Sequence, residues 1–597
     1  MKATCAIRLL PLLVMAAPAA TAQNSASQPN VIFILTDDQG YGDLGCHGNP
    51  LIRTPHLDRL HAESVRFTNC HSGTTCAPTR ASLMTGKYSN RVGVWHTING
   101  REILAAGETT LAGAMKAAGY RTGIFGKWHL GDNFPFRPND RGFDEAVVHG
   151  GGGVGQQPDF WGNDYFDDWY FRNGNPEKFA GYCTDVWFSE AVRFIRDHKH
   201  RPFFCYIATN APHSPYHVEA KYSDLYAGNP QVPNPQFYGM ITNIDDNIGR
   251  LRQELEDLDI ARNTILVFMT DNGTSAGVRF GKQGEVTAGY NAGMRGIKGS
   301  PYEGGHRVPL FIHWPGAAWE QGRDVSHLVS CIDLMPTLLD VCRLPFDEAS
   351  FDGRSLKPLI EGDTAGWPAR ILVTDTQREE FLVKWKQPAV MTDRWRLIGR
   401  DELYDMPADP GQRNNVAGSN PEVVEELRRA YERWWEDVSG GGQGYSRIIV
   451  GNPRENPVRL NSHDLHVAEG QPAWSQDLVR AAHPVNGFWA IEVETPGRYI
   501  IELTRWPKES GLKMHQPAPH GEPVPGGKPY VDGKALNTDL ARVRVGERQW
   551  EKKIRPSAAG VKLEVTLPAG PAHLQTWLIH QVTGESWPAY YVYITAK

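Results

Sequence analysis

Apolar positions along this chain follow two periodicities. Between about residue 30 and residue 340, short runs that are apolar throughout alternate with longer stretches in which apolar residues recur at helical spacing. Val31–Thr36 (VIFILT) and Thr264–Thr270 (TILVFMT) are almost wholly apolar, the pattern of strands covered on both faces. Phe203–Thr209, Thr122–Phe125 and Val308–His313 are weaker members of the same set. Pro55–Ser64, Thr110–Ala118, Asp185–Asp197 and Asn234–Leu258 read as the helices between them. This alternation predicts an α/β domain built on a central, mostly parallel sheet flanked by helices.

The pattern changes after residue 344. Residues 345–438 read as a smaller α+β subdomain ending in a helix with Asn420 as N-cap and Pro421 in its first turn, where proline's missing N–H costs nothing. Val424, Leu427, Tyr431 and Trp434 or Trp435 share one side of that helix. Gly440, Gly441, Gly442 and Gly444 form a flexible break. Beyond it, Trp489–Glu494, Arg498–Arg505, Lys562–Leu567, His573–Ile579 and Tyr590–Thr595 alternate apolar with polar residues, separated by turns such as Thr495-Pro496-Gly497 and Pro568-Ala569-Gly570. That predicts an antiparallel, β-sandwich-like module over 445–597, read as a structural cap rather than a carbohydrate-binding module. One stretch fits neither period: Gly150–Gly174 opens on glycines and carries Phe160, Trp161, Tyr165, Phe166, Trp169, Tyr170 and Phe171. It is either a packed surface loop or part of a substrate wall.

The amino terminus reads as an export leader over residues 1–22. Lys2 and Arg8 precede the apolar stretch Leu9–Ala20, and Ala20-Thr21-Ala22 offers a small-residue cleavage site. No later segment has the roughly 20 unbroken apolar residues of a membrane span. The expected address is secreted or periplasmic, with the catalytic α/β domain running over 23–344. Loss of the leader removes Cys5 and leaves seven cysteines, an odd number for an oxidising compartment, so one has a fate other than pairing. With 62 Lys and Arg against 68 Asp and Glu, the net charge of -6 argues against a general nucleic-acid binder.

Chemistry gathers where the strands end. Val31–Thr36 runs into Asp37-Asp38 and Thr264–Thr270 into Asp271-Asn272. In open α/β sheets ligands bind beyond the carboxyl ends of strands. If these strands are neighbours, three carboxylates and an amide oxygen crowd one spot, and such charge calls for a cation. An all-oxygen donor set favours Ca²⁺ or Mg²⁺ over Zn²⁺. Two further strands run into Lys127 and His129, and into His213, which would ring the cation with groups suited to a tetrahedral oxyanion ester. In the segment Thr75–Gly86, Pro78 suits a first helical turn and Gly86 a C-terminal stop, placing Cys76 at a helix N-terminus with Arg80 one turn on. A thiolate there would be stabilised, so Cys76 is a candidate nucleophile, with a buried inert cysteine as the alternative.

The run Cys76-x-Pro78-x-Arg80 followed by Leu83-x-Thr85-Gly86-Lys87 resembles the sulfatase signature, in which this cysteine is oxidised after translation to formylglycine. Companion motifs follow the same family in order: Asp37-Asp38-Gln39-Gly40-Tyr41-Gly42-Asp43, Gly126–Gly131, Ala211-Pro212-His213, Thr270–Gly273, and Lys298-Gly299-Ser300 before Glu303–Pro309. Glu402–Asp405, Asp409-Pro410 and Asn415–Ala417 resemble its later landmark, so the likeness spans roughly 29–438. The resemblance implies an alkaline-phosphatase-like fold, with one Ca²⁺ held by Asp37, Asp38, Asp271, Asn272 and the modified Cys76. It implies that Arg80 steadies a formylglycine hydrate, that Lys127 and Lys298 bind sulfate oxygens, that His129 and His213 move protons, and that Asp271 deprotonates the attacking hydroxyl. A formylglycine-generating maturation enzyme is the implied partner.

The implied activity is hydrolysis of sulfate esters. Export, the aromatic insertion and the extra module turn the expected substrate toward a sulfated glycan, with Arg91, Trp95, His96, Trp161 and Asp164 as candidate wall residues. A phosphatase or phosphonate monoester hydrolase of the same superfamily is one alternative. A catalytically silent glycan-binding protein is the other, although each motif position keeps its reactive residue.

Overall fold

A computed structural model describes residues 28–440 and 444–597. The leader, Cys5, Gly441 and Gly442 lie outside the described residues. The large domain is built on a ten-stranded sheet. Its heart is five parallel neighbours, in the order Thr264–Thr270, Asn30–Thr36, Phe203–Ala208, Arg121–Gly126 and Glu145–Val148. Alternate residues of Asn30–Thr36 enter opposite cores: Val31, Phe33 and Leu35 join one cluster, Ile32 and Ile34 the other. This is why the run is apolar without alternation. Helices Cys76–Thr85, Leu111–Ala117 and Leu334–Val341 cover the first face. Pro55–Glu63, Cys183–His198 and Pro235–Asp257 cover the second.

The segment read as Val308–His313 departs from the parallel set. Pro309 interrupts it, and Leu310–His313 runs antiparallel beside Thr264–Thr270. A four-stranded antiparallel sheet, Leu372–Thr374, Ala389–Met391, Trp395–Ile398 and Glu402–Asp405, follows. Helix Pro421–Ser439 lays Val424, Leu427, Tyr431 and Trp435 on it, while Trp434 turns edge-on to Tyr88. The C-terminal part is two mainly antiparallel sheets around one shared core, with a single parallel pair, Ile448–Val450 against Trp489–Val493. The fold is thus α/β, with antiparallel sheets toward the C-terminus.

Register then fixes what meets at the carboxyl edge. Thr36 pairs with Thr270, so Asp37-Asp38 and Asp271-Asn272 leave the sheet side by side. Asp271 N–H donates to the Thr36 carbonyl at 3.1 Å and Asp37 N–H to the Ala211 carbonyl at 3.2 Å, stitching three strand ends together.

Candidate active site

The edge carries a dry, highly charged cluster. Asp37, Asp271 and Asn272 are fully buried, and Asp38, Cys76, Arg80, Lys127 and His129 nearly so. Lys127 Nζ donates to Asp37 Oδ2 at 2.6 Å, and Lys298 Nζ lies 2.6 Å from Asp38 Oδ1. Arg80 donates to Asp271 Oδ2 at 2.9 Å and to the Lys127 carbonyl at 3.3 Å. Asn272 Nδ2 donates to Asp38 Oδ1 at 3.0 Å, which turns its carbonyl oxygen the other way.

Cys76 is the first residue of helix Cys76–Thr85, which ends at Gly86 in the left-handed conformation (φ 67°). Thr79, one turn on, donates to the Asp271 carbonyl at 2.7 Å and docks the helix start onto the adjoining strand end. Donor atoms of Asp37, Cys76 and Asp271 all lie within 4.8 Å of one another. Asp37 Oδ1 and Asn272 Oδ1 are buried without a hydrogen-bond partner. Unsatisfied buried oxygens are costly, and converging anionic and amide oxygens are what a hard cation coordinates. The residues therefore fit the expected metal.

Two imidazoles flank the cluster differently. His129 Nε2 donates to the Thr97 carbonyl at 2.9 Å, which leaves Nδ1 as the free basic nitrogen. Burial, reinforced by Lys127 and His463, holds His129 well below the usual histidine range. His213 is only partly buried, as Lys298 is, so these two lie on the solvent side of the cluster. Its Nδ1 lies 2.6 Å from the Ser214 carbonyl, and its Nε2 lies 3.7 Å from Asp38 Oδ2. Burial, partly offset by Asp38 and reinforced by Lys298 and Lys127, holds His213 down to about 4. Burial and the neighbouring Asp37 push Asp271 up to about 7 against the pull of Arg80 and Lys127. Asp38 goes the other way: burial opposes its charge, but Lys298 and His213 outweigh burial and hold it below the usual carboxylate range.

Every residue singled out at the strand ends and in the Cys76 helix is thus brought into one cluster. The wall candidates are scattered. Arg91 is clamped by Asp352 and Asp437, Trp95 lies buried under the Arg101 guanidinium, and Trp161 packs edge-on to Trp506. His96 is buried beside Thr97. Asp164 alone of the five borders a cleft described below. The aromatic insertion is mostly packing, with Tyr165 and Tyr170 buried and Phe160 stacked on Trp169. A buried cluster absent from the sequence reading is Glu102, His463 and Asp464, whose His463 ring lies 6.3 Å from that of His129. Its members come from two domains and carry no motif, so only the folded chain discloses it.

A mixed α/β sheet whose strand ends present buried carboxylates, lysines and histidines around a helix-start cysteine defines a hydrolase of the alkaline-phosphatase-like class. Residues 29–343 match the family pattern "Sulfatase", and residues 298–436 match "N-sulphoglucosamine sulphohydrolase, C-terminal". The chain belongs to the sulfatase family and is a sulfuric ester hydrolase. It is 30% identical over 503 residues to the N-acetylgalactosamine-6-O-sulfatase of Bacteroides thetaiotaomicron, covering 69% of this chain and 93% of that protein. It is 34% identical over 437 residues to the N-acetylgalactosamine-6-sulfatase of Homo sapiens, covering 68% and 79%. The crystal structure of Ps i-CgsB in complex with k-i-k-neocarrahexaose superposes with a TM-score of 0.61 at 27% identity, covering 70% of this chain and 95% of that one. Both family patterns end before the C-terminal module. Among the described residues no helix is long and apolar enough to cross a membrane, and the seven cysteines form no disulfide.

Proposed function

We propose that this protein is an exported sulfatase of sulfated carbohydrates, matured by conversion of Cys76 to formylglycine and dependent on one Ca²⁺. The observation that carries the reading is the meeting of Cys76 with Asp37 and Asp271 beneath two lysines and two histidines at one sheet edge. Asp37, Asp38, Asp271, Asn272 and residue 76 would hold the cation. Bound there, Ca²⁺ supplies charge neutralisation for the sulfate oxygens, and the hydrated aldehyde supplies the attacking hydroxyl.

The chain's own groups supply the rest. Lys127, fixed in the dry interior, and Lys298, at the mouth, offset the charge of the transferring SO₃ group, an arrangement worth most where water is excluded. Asp271, whose carboxylate lies within reach of residue 76, would accept the proton of the attacking hydroxyl. His213, partly exposed beside Asp38, would protonate the departing alcohol; an arriving anionic ester favours its protonated form, which then hands the proton to the leaving oxygen. His129, neutral with Nδ1 free, takes the proton whose loss expels sulfate. The saccharide names of one relative's substrate and of the oligosaccharide in Ps i-CgsB support the substrate class.

The test is mass spectrometry of the Cys76 peptide together with release of inorganic sulfate. Conversion of thiol to aldehyde removes about 18 Da, and only protein carrying that change is expected to turn over. Full turnover by protein with an intact Cys76 thiol would overturn the reading. Matched sulfate and phosphate esters separate it from a phosphatase.

A further inference from the structure

Beside His213 the catalytic domain and the C-terminal module enclose a cleft of about 660 Å³, within the ~300–1,000 Å³ range of small-ligand sites. Pro215, Tyr216 and His217 form one wall, beginning two residues after His213 in the chain. Gly526–Val531 and Asp477 of the module form the other, with Asp164, Asn234 and Gln236 between them. The floor adjoins the reacting centre: Tyr216 Oη donates to Ser275 Oγ at 3.3 Å, and Ser275 N–H donates to the Asp38 carbonyl at 3.1 Å.

The module's wall is built to stay in place. A Cβ on Gly526 would sit 1.9 Å from the Val218 carbonyl oxygen, and one on Gly527 would sit 2.1 Å from the His217 ring. Only this glycine pair lets the loop lie flat on the segment that carries His213. Lys528 N–H donates to His217 Nε2 at 3.3 Å, Tyr530 Oη donates to the Asn163 carbonyl at 2.7 Å, and Arg480 grips the Val531 carbonyl at 3.2 Å beneath the Tyr530 ring. Pre-organised walls lower the entropy lost on binding.

The lining has a definite chemistry. The side chains of Gln236, Asp477 and Lys528 make no hydrogen bond or ion pair among the described residues, so their polar ends are available to a ligand. Two carboxylates, Asp164 and Asp477, the latter countered by Arg480 behind the Tyr530 ring, meet the single lining Lys528 and leave no surplus of positive charge to attract a second sulfate. Carboxylates, amides and a lysine beside the rings of Tyr216 and Tyr530 suit the paired hydroxyls and apolar faces of an uncharged sugar.

Resting on the sulfatase reading above, we infer that this cleft is the subsite for an uncharged sugar residue joined to the sulfated one, which makes the C-terminal module part of the substrate site and the substrate a saccharide of at least two residues. The position fits the reaction, because in that reading His213 protonates the departing alcohol and the rest of that alcohol's molecule must extend past it.

The experiment compares kcat/KM of the matured full-length enzyme on an aryl sulfate, on sulfated hexose and hexosamine monosaccharides, and on disaccharides joining the same sulfated residue to an uncharged one. We expect the preferred disaccharide to exceed its monosaccharide by about tenfold or more, the worth of one or two good hydrogen bonds. Gln236→Ala combined with Asp477→Ala, neither in the reacting cluster, should erase that advantage through KM while leaving monosaccharide turnover and Tm unchanged. A ratio near one in the wild type, or a ratio untouched by the double variant, overturns the subsite while turnover of the small esters leaves the sulfatase reading standing. Preference for a neighbour bearing a second sulfate overturns its uncharged character. No turnover of any ester by protein carrying the aldehyde overturns both.

Discussion

Asp38 and His129 both hold left-handed backbone conformations, at φ 66° and 61°, which cost a non-glycine residue of order 1 kcal/mol or more. Each is held there by the cluster: Asp38 N–H donates to Asp271 Oδ1 at 3.0 Å, and His129 is tethered to the Thr97 carbonyl. Asp271 in turn depends on Arg80, its buried ion-pair partner. Arg80→Ala leaves that carboxylate buried without its direct ion-pair partner, so stability should fall by about 3–5 kcal/mol and kcat by at least 10²–10³-fold, roughly the worth of one pre-organised charged donor. Thermal unfolding and sulfate release measure the two losses separately. The orphaned Asp37 Oδ1 and Asn272 Oδ1 make a second demand. Chelation of divalent metal should abolish turnover and lower Tm, with Ca²⁺ restoring both better than Zn²⁺, because the donors are hard oxygens. Retained turnover in metal-free protein would contradict this.

At the scale of elements, the site depends on strand ends being pressed together. Gly126 closes strand Arg121–Gly126 at φ 111°, and a Cβ there would lie 2.0 Å from the Ala208 carbonyl oxygen of the neighbouring strand. The same carbonyl receives Lys127 N–H at 2.6 Å, so the glycine's bareness sets where Lys127 and His129 emerge. Gly126→Ala should cost about 1–3 kcal/mol in strain and lower kcat/KM well beyond that loss of stability; Tm and steady-state kinetics on one preparation check it. Much of this was legible beforehand. The matched Thr36-Asp37-Asp38 and Thr270-Asp271-Asn272 endings announced a shared edge because a fully covered strand is apolar on both faces and its first polar residues mark where it stops. Strand direction is not legible: the four residues Leu310–His313 carry no pattern that sets it, and the antiparallel sense comes from long-range pairing with Thr264–Thr270. The aromatic insertion stayed ambiguous for a similar reason. Trp161 finds its partners, Trp506 and Arg480, only when the C-terminal module docks.

Across the whole molecule, that docking bears on catalysis through one buried cluster. His463 of the module lies with Nδ1 2.8 Å from Asp464 Oδ1 and 3.5 Å from Glu102 Oε1 of the large domain. Its carbonyl accepts Asn99 N–H at 3.0 Å, two residues from the Thr97 carbonyl that orients His129. Burial opposes the charge on His463, but Asp464 and Glu102 outweigh it and hold the imidazole up at about 10. A histidine raised above its ordinary 6.5 contributes stability that is complete below that pH and is lost as pH climbs through about 10. Glu102, pushed upward chiefly by burial, acts in the same sense, since its ionisation at alkaline pH is opposed in the fold. The seam should therefore weaken between neutral pH and pH 10, and kcat should decline with it as His129 loses its fixed partner. His463→Ala, which leaves the buried Asp464 carboxylate without its imidazole partner, should cost about 3–5 kcal/mol at neutral pH and flatten the alkaline loss of stability. Thermal unfolding of the wild type and the variant across that range decides the matter: parallel curves for the two proteins would show that the charge on His463 does not hold the domains together.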